Sequence, residues 1–250
     1  MPYRRNKDTK IGMVLGTREV VMRAQRDGKP VDTKVIFELA EAVEDSGLDS
    51  VWVGDSLVSK PRLEPVATLA AIAARTSRIQ IGTAVLLPSL RRIVPLAHSL
   101  ATLDVISRGR LIVGAGVGGT FTPEQKHDFT AAGVNPGSRA GRFTEIVRSL
   151  KRLWKEDHVS FEGRYLRLED VTLEPKPANP DGIPLVLATH YRTGIEAQVC
   201  RAAQYADGII SISDSPNEYA QMVAKVDELT VAKNRDPKTF QNFFYMTVNI

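Results

Sequence analysis

Thr76-Ser77-Arg78-Ile79-Gln80-Ile81-Gly82-Thr83-Ala84-Val85 and Ile106-Ser107-Arg108-Gly109-Arg110-Leu111-Ile112-Val113-Gly114-Ala115 carry one pattern twice, about 30 residues apart. Each reads turn, arginine, apolar β-branched run, glycine. A repeated supersecondary unit is what a (β/α) barrel is built from. The apolar residues run on without alternating, which marks strands buried on both faces, as in parallel sheets. Working outward, similar runs lie at Ile11 to Gly16, Ser50 to Gly54, Ile183 to Ala188, Asp207 to Ile212 and Phe244 to Ile250. Segments of helical period separate them. Val35, Ile36, Leu39, Ala40 and Val43 line one helix face that Gly47 ends. Pro65 and Pro95 open two more helices, and Ser215-Pro216-Asn217-Glu218 supplies a capped start for another. Strand–helix–strand units with right-handed crossovers leave a closed barrel or an open doubly wound sheet. The repeat favours the (β/α)8, or TIM, barrel.

The spacing breaks once, from Gly116 to Asp181. One helix is legible there, with Phe143, Ile146, Val147, Leu150, Leu153 and Trp154 on its buried face. Loop signals surround it at 120–125, 133–137 and 175–182. We expect a single domain over residues 1–250 with a large insertion after strand 4, at about 117–182, where barrels place lids. A length of 250 residues suits eight units, yet only seven strands can be counted. A barrel lacking a strand would expose two unpaired edges. Strand 8 is therefore expected to be absent from this chain, with the C-terminus incomplete.

Composition narrows the function classes. Apolar residues make up 43% and charged residues 25%, which excludes disordered and coiled-coil chains. Lys plus Arg is 33 against 29 for Asp plus Glu, a net charge of +4 without a basic block, so no nucleic-acid partner is expected. Cys200 is the single cysteine, which rules out an internal disulfide and a Cys-rich zinc site. No apolar stretch is long enough for a membrane span. The basic start, Met1 to Lys7, precedes only the short apolar run Ile11 to Leu15. A signal peptide needs a longer one, so the expected location is the cytoplasm.

In a parallel barrel the functional residues stand where strands end. Those positions here are Asp55-Ser56, Ala84 to Pro88, Gly116 to Gly119, Thr189 to Arg192 and Ser213 to Ser215. Gly114-Ala115-Gly116-Val117-Gly118-Gly119 formally satisfies a dinucleotide fingerprint. The fingerprint also needs a helix directly after it, and Thr120 to Pro123 intervene. The glycines fit better as a place where a flat ligand approaches the backbone. His98, His127, His158 and His190 show no metal-ligand spacing, so no metal is expected. His98 reads as helix packing; His190 stands at a strand end and is the histidine to test. No G-x-S-x-G element is present, which disfavours a nucleophile-elbow hydrolase. Asp55 serves either as a cap or turn residue or as an acceptor for a ring or substrate. Arg91 and Arg92 fit a solvated helix start better than a phosphate site.

These residues in this order resemble the bacterial luciferase-like monooxygenase superfamily, flavin- and deazaflavin-dependent (β/α) barrels. The resemblance rests on Ser50 to Asp55, Thr76 to Val85, Ala101 to Leu111, Arg142 to Glu145 with Leu153-Trp154, Phe161 to Tyr165, and Ala206 to Gly208. It implies a tricyclic coenzyme, F420 ahead of FMN, across the strand ends. Carried over by position, Asp55 and Ser56 flank its reactive face. Ala84 and Val85 back the ring, where many members hold a non-proline cis peptide. Gly116, Gly118 and Thr122 border the ring or its side chain. Thr189 and His190 lie near the ribityl phosphate arm. Many members have histidine where this chain has Ser56, and some dehydrogenases have glutamate where it has Gly119. Serine can donate a hydrogen bond but is a poor general acid near neutral pH. Of the candidate catalytic residues Asp55, Ser56 and His190, the acid–base role is therefore open between Asp55 and His190.

The implied activity is hydride transfer between a reduced F420 or flavin coenzyme and a small organic substrate. An FMN monooxygenase using molecular oxygen and a non-catalytic flavin-binding relative are the alternatives. An unrelated sugar-phosphate barrel enzyme is a further rival, expected to hold its phosphate in loops after strands 7 and 8. Members commonly form homodimers through the helices after strands 2 and 3, which here hold Val66, Leu69, Ile72, Leu96, Leu100 and Leu103. Substrate choice would lie in the loops at 17–32, 56–64 and 117–182.

Overall fold

The computed structural model describes residues 9–191, 195–212 and 214–246. In chain order, β1 (Gly12–Val14) leads into α1 (Thr17–Asp27) and α2 (Lys34–Asp45). Then come β2 (Ser50–Val53), α3 (Pro65–Arg75), β3 (Gln80–Thr83), α4 (Ile93–Ser107) and β4 (Leu111–Ala115). The long segment that follows holds α5 (Pro123–Ala131), α6 (Arg139–Lys155), β5 (Val159–Glu162) and β6 (Arg167–Val171). The chain closes with β7 (Leu185–Ala188), α7 (Ile195–Tyr205), β8 (Gly208–Ile212), α8 (Pro216–Ala232) and β9 (Phe243–Tyr245).

Seven strands form one parallel sheet in the order β1-β2-β3-β4-β7-β8-β9, while β5 and β6 pair separately as an antiparallel hairpin. Among the described residues β1 and β9 are the sheet's two edges. The last strand is shorter than the run Phe244 to Ile250, whose residues 247–250 lie outside the described part. Both strand faces are buried, in two different places. Val51, Val53, Ile81, Leu111, Val113, Leu185, Leu187 and Ile209 pack against the helices. Trp52, Ile112, Val186 and Ile210 turn the other way and fill the concave side, together with Val14 and Phe243. Continuous apolar runs therefore follow from burial on both sides. Trp52 donates its indole N–H to Ser50 Oγ at 2.8 Å and meets Phe243 edge-on at 4.9 Å. A Cβ at Gly82 would fall 2.3 Å from the Trp52 ring, so that neighbour must be glycine.

The repeated arginine has a structural meaning. Arg78 donates to Glu44 O at 2.6 Å and Leu48 O at 3.2 Å, at the carbonyl end of α2. Arg110 does the same one unit later, reaching Ala73 O at 2.8 Å, Thr76 O at 2.9 Å and Ile79 O at 3.0 Å. Arg235 repeats it a third time on Ala203 O and Ala206 O, at the end of α7. Orphan carbonyls and the negative helix terminus both attract a guanidinium there. Each arginine thus staples its unit to the preceding one.

Three expectations change. Residues 17–27, read as part of a substrate loop, form α1, which buries Val20 and Ala24 on one face. Helix α4 begins at Ile93, two residues before Pro95, because proline's missing N–H is harmless in a first turn. The segment after β4 is not all insertion. Its helix α6 packs between α4 and α7 and is the outer helix of its own unit. The additions are α5 ahead of it and the β5–β6 hairpin behind it.

Candidate functional site at the strand ends

Above the layer filled by Trp52, the concave side changes character. Strand alternation points Gly54, Gly116 and Ala188 inward, and Ala84 and Val85 both pack against the same inner cluster. The Ala84–Val85 peptide is cis and does not involve proline. A Cβ at Gly116 would sit 2.8 Å from Val85 Cγ2 and 3.4 Å from the Ala188 Cβ. The strand ends of β3, β4 and β7 thus present a shallow apolar floor of small residues. Flat aromatic surface suits such a floor, and a bulky side chain in its place would exclude it.

Asp55 stands beside this floor with its carboxylate 1% exposed. It is already committed. Arg91 binds it through both terminal nitrogens, at 2.5 and 3.0 Å, and the Leu87 N–H donates to it at 2.9 Å. Arg91 also reaches Glu64 at 3.0 Å. Asp55 therefore anchors the segment leaving β3. Arg91, read as a solvated helix start, is instead the half-buried partner of that anchor.

Ser56 is engaged as well. Its hydroxyl donates to Asp128 Oδ2 at 3.1 Å, accepts the Lys60 N–H at 3.0 Å and lies 3.0 Å from Ser59 Oγ. Asp128, on α5, also accepts the N–H groups of Val58 at 2.6 Å and Ser59 at 2.8 Å, and the Ser59 hydroxyl at 2.5 Å. Burial pushes the Asp128 carboxyl up, but these donors outweigh it and hold the group below the usual carboxylate range. An ionised Asp128 clasps the 56–60 loop to α5. No feature of the sequence pairs position 128 with position 56; only the chain's path does.

The glycine run divides in the same way. Gly116 belongs to the floor, but Gly118 serves packing. It has φ of +82°, and a Cβ there would lie 2.9 Å from the Phe129 ring of α5. The Thr122 hydroxyl accepts the Gln125 N–H at 3.3 Å and caps α5, while Gln125 Oε1 accepts the Thr122 and Phe121 N–H groups. This is a capping box of the same form as Ser215 with Glu218. Its Thr-Pro-Glu-Gln signature was available where a loop was expected.

At β7 the alternation turns Thr189 toward the helices, with Leu185 and Leu187. It is fully buried, and its hydroxyl has no hydrogen-bond partner. His190 is half-buried; its backbone N–H donates to Gln198 Oε1 at 3.0 Å, and its ring makes no hydrogen bond among the described residues. Asp214 accepts the Ser211 hydroxyl and the Tyr191 N–H, joining the ends of β7 and β8. Arg192 and Ser213 lie outside the described residues. His98 lies on the outer face of α4, bordering a groove of about 780 Å³ between α3 and α4, away from the strand ends. No group of three or more His, Cys, Asp or Glu that could hold a metal occurs among the described residues, and no helix there is long and apolar enough to cross a membrane.

Known proteins share the architecture around this floor of small residues. The F420-dependent glucose-6-phosphate dehydrogenase of Kineococcus radiotolerans is 37% identical over 162 residues, which is 61% of this chain and 46% of that protein. Its counterpart from Amycolatopsis mediterranei is 34% identical over 163 residues, with the same shares. The chain spans about half the length of the curated relatives it matches. Among solved structures, monooxygenase RslO1 from Streptomyces bottropensis superposes with a TM-score of 0.78 at 28% identity, covering 94% of this chain and 70% of that one. An F420-dependent secondary alcohol dehydrogenase in complex with an F420-acetone adduct gives 0.76 at 23% identity, covering 94% and 68%, a likeness of fold. The family model described as luciferase-like monooxygenase matches residues 9–248, and on that match the chain belongs to this family.

Proposed function

We propose that this protein is an oxidoreductase that seats a tricyclic coenzyme, F420 ahead of FMN, on the floor at the strand ends and serves a small organic substrate. The observation that carries the reading is the floor itself: small inward residues at Ala84, Gly116 and Ala188, directly above a layer closed by Trp52. The relatives named for F420-dependent activity support the order of preference. When bound, the coenzyme supplies hydride chemistry; the protein supplies orientation and exclusion of water.

The chain's own residues divide the work. Asp55, held by Arg91 and Leu87, fixes the segment after β3 beside the reactive face. Ser56 presents a hydroxyl whose proton is directed at Asp128, so it orients more readily than it protonates. Among the described residues the His190 ring, at the mouth, makes no hydrogen bond, and we assign it the proton-handling role. Val85, Gly118, Thr122 and Thr189 shape the surroundings, Gly118 and Thr122 by seating α5. The reading includes one domain, a luciferase-like barrel of which seven parallel strands are described, and a cytoplasmic location. It also includes a homodimer through α3 and α4. Of the residues expected there, Leu69, Ile72, Leu96, Leu100 and Leu103 are buried in the core, and the apolar surface left in the groove comes from Val66, Ala70 and Ile106.

A second reading is an FMN-dependent monooxygenase, favoured by the likeness to RslO1. Titrating the purified protein with F420 and with FMN, followed by coenzyme fluorescence, separates the two. Saturable binding of F420 at least about tenfold tighter than FMN is expected. The reverse order makes the monooxygenase the better account, and binding of neither removes the coenzyme reading.

A further inference from the structure

Arg62 is a cation the site has not yet used. It lies on the loop between β2 and α3, and its guanidinium reaches back into the concave side. A Cβ at Gly54, an inward position, would fall 2.1 Å from Arg62 Nη1 and 3.5 Å from Ala84 O. The guanidinium therefore lies over Gly54, at the β2 rim of the floor formed by Ala84, Gly116 and Ala188. Its Nε donates to Lys60 O at 3.2 Å, which fixes the fork's direction. Among the described residues its terminal nitrogens have no acceptor and the residue forms no ion pair.

Two of the three nearby carboxylates are spent elsewhere, and Glu19 makes no ion pair with Arg62 among the described residues. Asp55 is held by Arg91 and the Leu87 N–H. Asp128 accepts four donors from the 56–60 loop. Burial disfavours the charged form of Arg62, and Asp55, Glu19 and Asp128 act on it only at a distance. A half-buried guanidinium without a counter-ion is costly. A planar fork of free N–H donors is also the geometry that receives a carboxylate or a phosphoryl group.

We propose that Arg62 is a specificity-determining residue that receives an oxyanion, a carboxylate or phosphoryl group, of the molecule bound at the strand ends. The inference rests on the floor being the binding site. It assigns the mouth a preference for anionic ligands on its β2 side. The oxyanion belongs either to the substrate or to the coenzyme, and one set of measurements tells them apart.

The probe is inorganic phosphate, followed by the fluorescence of Trp52, which lies in the layer below Gly54. The wild-type chain is expected to show a saturable change, and Arg62→Met to weaken phosphate by at least about tenfold. Arg62→Lys, which keeps charge but not the fork, should recover part of the loss. Melting temperatures within a few degrees of wild type establish that the variants fold. Repeating the titration on F420-loaded and FMN-loaded protein locates the source. Phosphate that still binds, with coenzyme affinity unchanged in R62M, assigns the oxyanion to the substrate. Phosphate that competes, with coenzyme affinity lowered in R62M, assigns it to the coenzyme. Equal phosphate and coenzyme affinities in wild type and R62M overturn the proposal. If neither coenzyme binds while Arg62-dependent phosphate binding persists, the proposed function fails and the oxyanion site stands.

Discussion

Asp55 shows how a residue's surroundings decide its chemistry. At a strand end it reads equally well as a turn residue or as an acid poised over a ligand. Burial to 1% exposure beside a bidentate arginine makes it an anchor. Truncating it would leave Arg91 with Glu64 and a long 3.5 Å bond to Leu87 O, in a half-buried position. Asp55→Ala should cost about 2–3 kcal/mol in urea unfolding, less than a fully buried pair because Glu64 remains. Arg91→Met should cost a similar amount, and the double variant clearly less than the sum. Additive losses would show that the two side chains act separately. Gly118 makes the same point in reverse. It closes against Phe129, and its φ of +82° is one that other residues adopt at a cost.

Elements of this fold are joined by carboxylates that accept rows of backbone N–H groups. Glu44, at the end of α2, takes those of Ser77, Arg78 and Ile79 at the entry to β3. Asp104 in α4 takes that of Ala178, which pins the return segment after the hairpin. Burial works to raise the Glu44 carboxyl, yet the three N–H donors and the Ser77 hydroxyl overcome it and hold the pKa at about 2, against 4.5 ordinarily. A depressed folded-state pKa stabilises above the unfolded value and loses that contribution as protons bind the folded group. The Glu44 tie is therefore complete above pH 4.5 and disappears as pH falls toward about 2. Solvent screens this partly exposed group, so about 1 kcal/mol is expected. Urea midpoints of wild type and Glu44→Gln should differ at pH 7 and converge across that acidic window; a constant difference would mean that charge is not what matters. Helix α5 shows what a local signal hides. Its Thr122–Gln125 capping box is legible, but only the contact with the 56–60 loop shows that α5 is clasped over the mouth through Asp128.

For the whole molecule, stability passes from unit to unit around the sheet through the Arg78, Arg110 and Arg235 staples. Arg110 is the best connected, with five donated bonds to Ala73, Thr76, Ile79 and Ser107. Arg110→Met removes the guanidinium donors from the carbonyl end of α3, leaving there the Thr76 hydroxyl on Ile72 O, and should lower stability by about 2–4 kcal/mol. The loss should appear as an earlier cooperative transition by circular dichroism. A change under about 0.5 kcal/mol would make the repeat a coincidence of turn composition.

The amino-acid sequence by itself determined the alternation of strands and helices, the parallel sheet and the family likeness. These depend on periodicity, on continuous apolar runs and on local cap and turn residues, all of which act within a few positions. It also pointed to the strand ends as the place to look. What each residue does there was decided by the tertiary structure. Asp55 meets Arg91 across 36 positions, Ser56 meets Asp128 across 72, and Arg62 turns back over Gly54. Whether a carboxylate is an anchor, a clasp or an acid depends on which donors reach it and how much water is excluded. Those partners come from separate units and meet only when the sheet curls and brings the strand ends together.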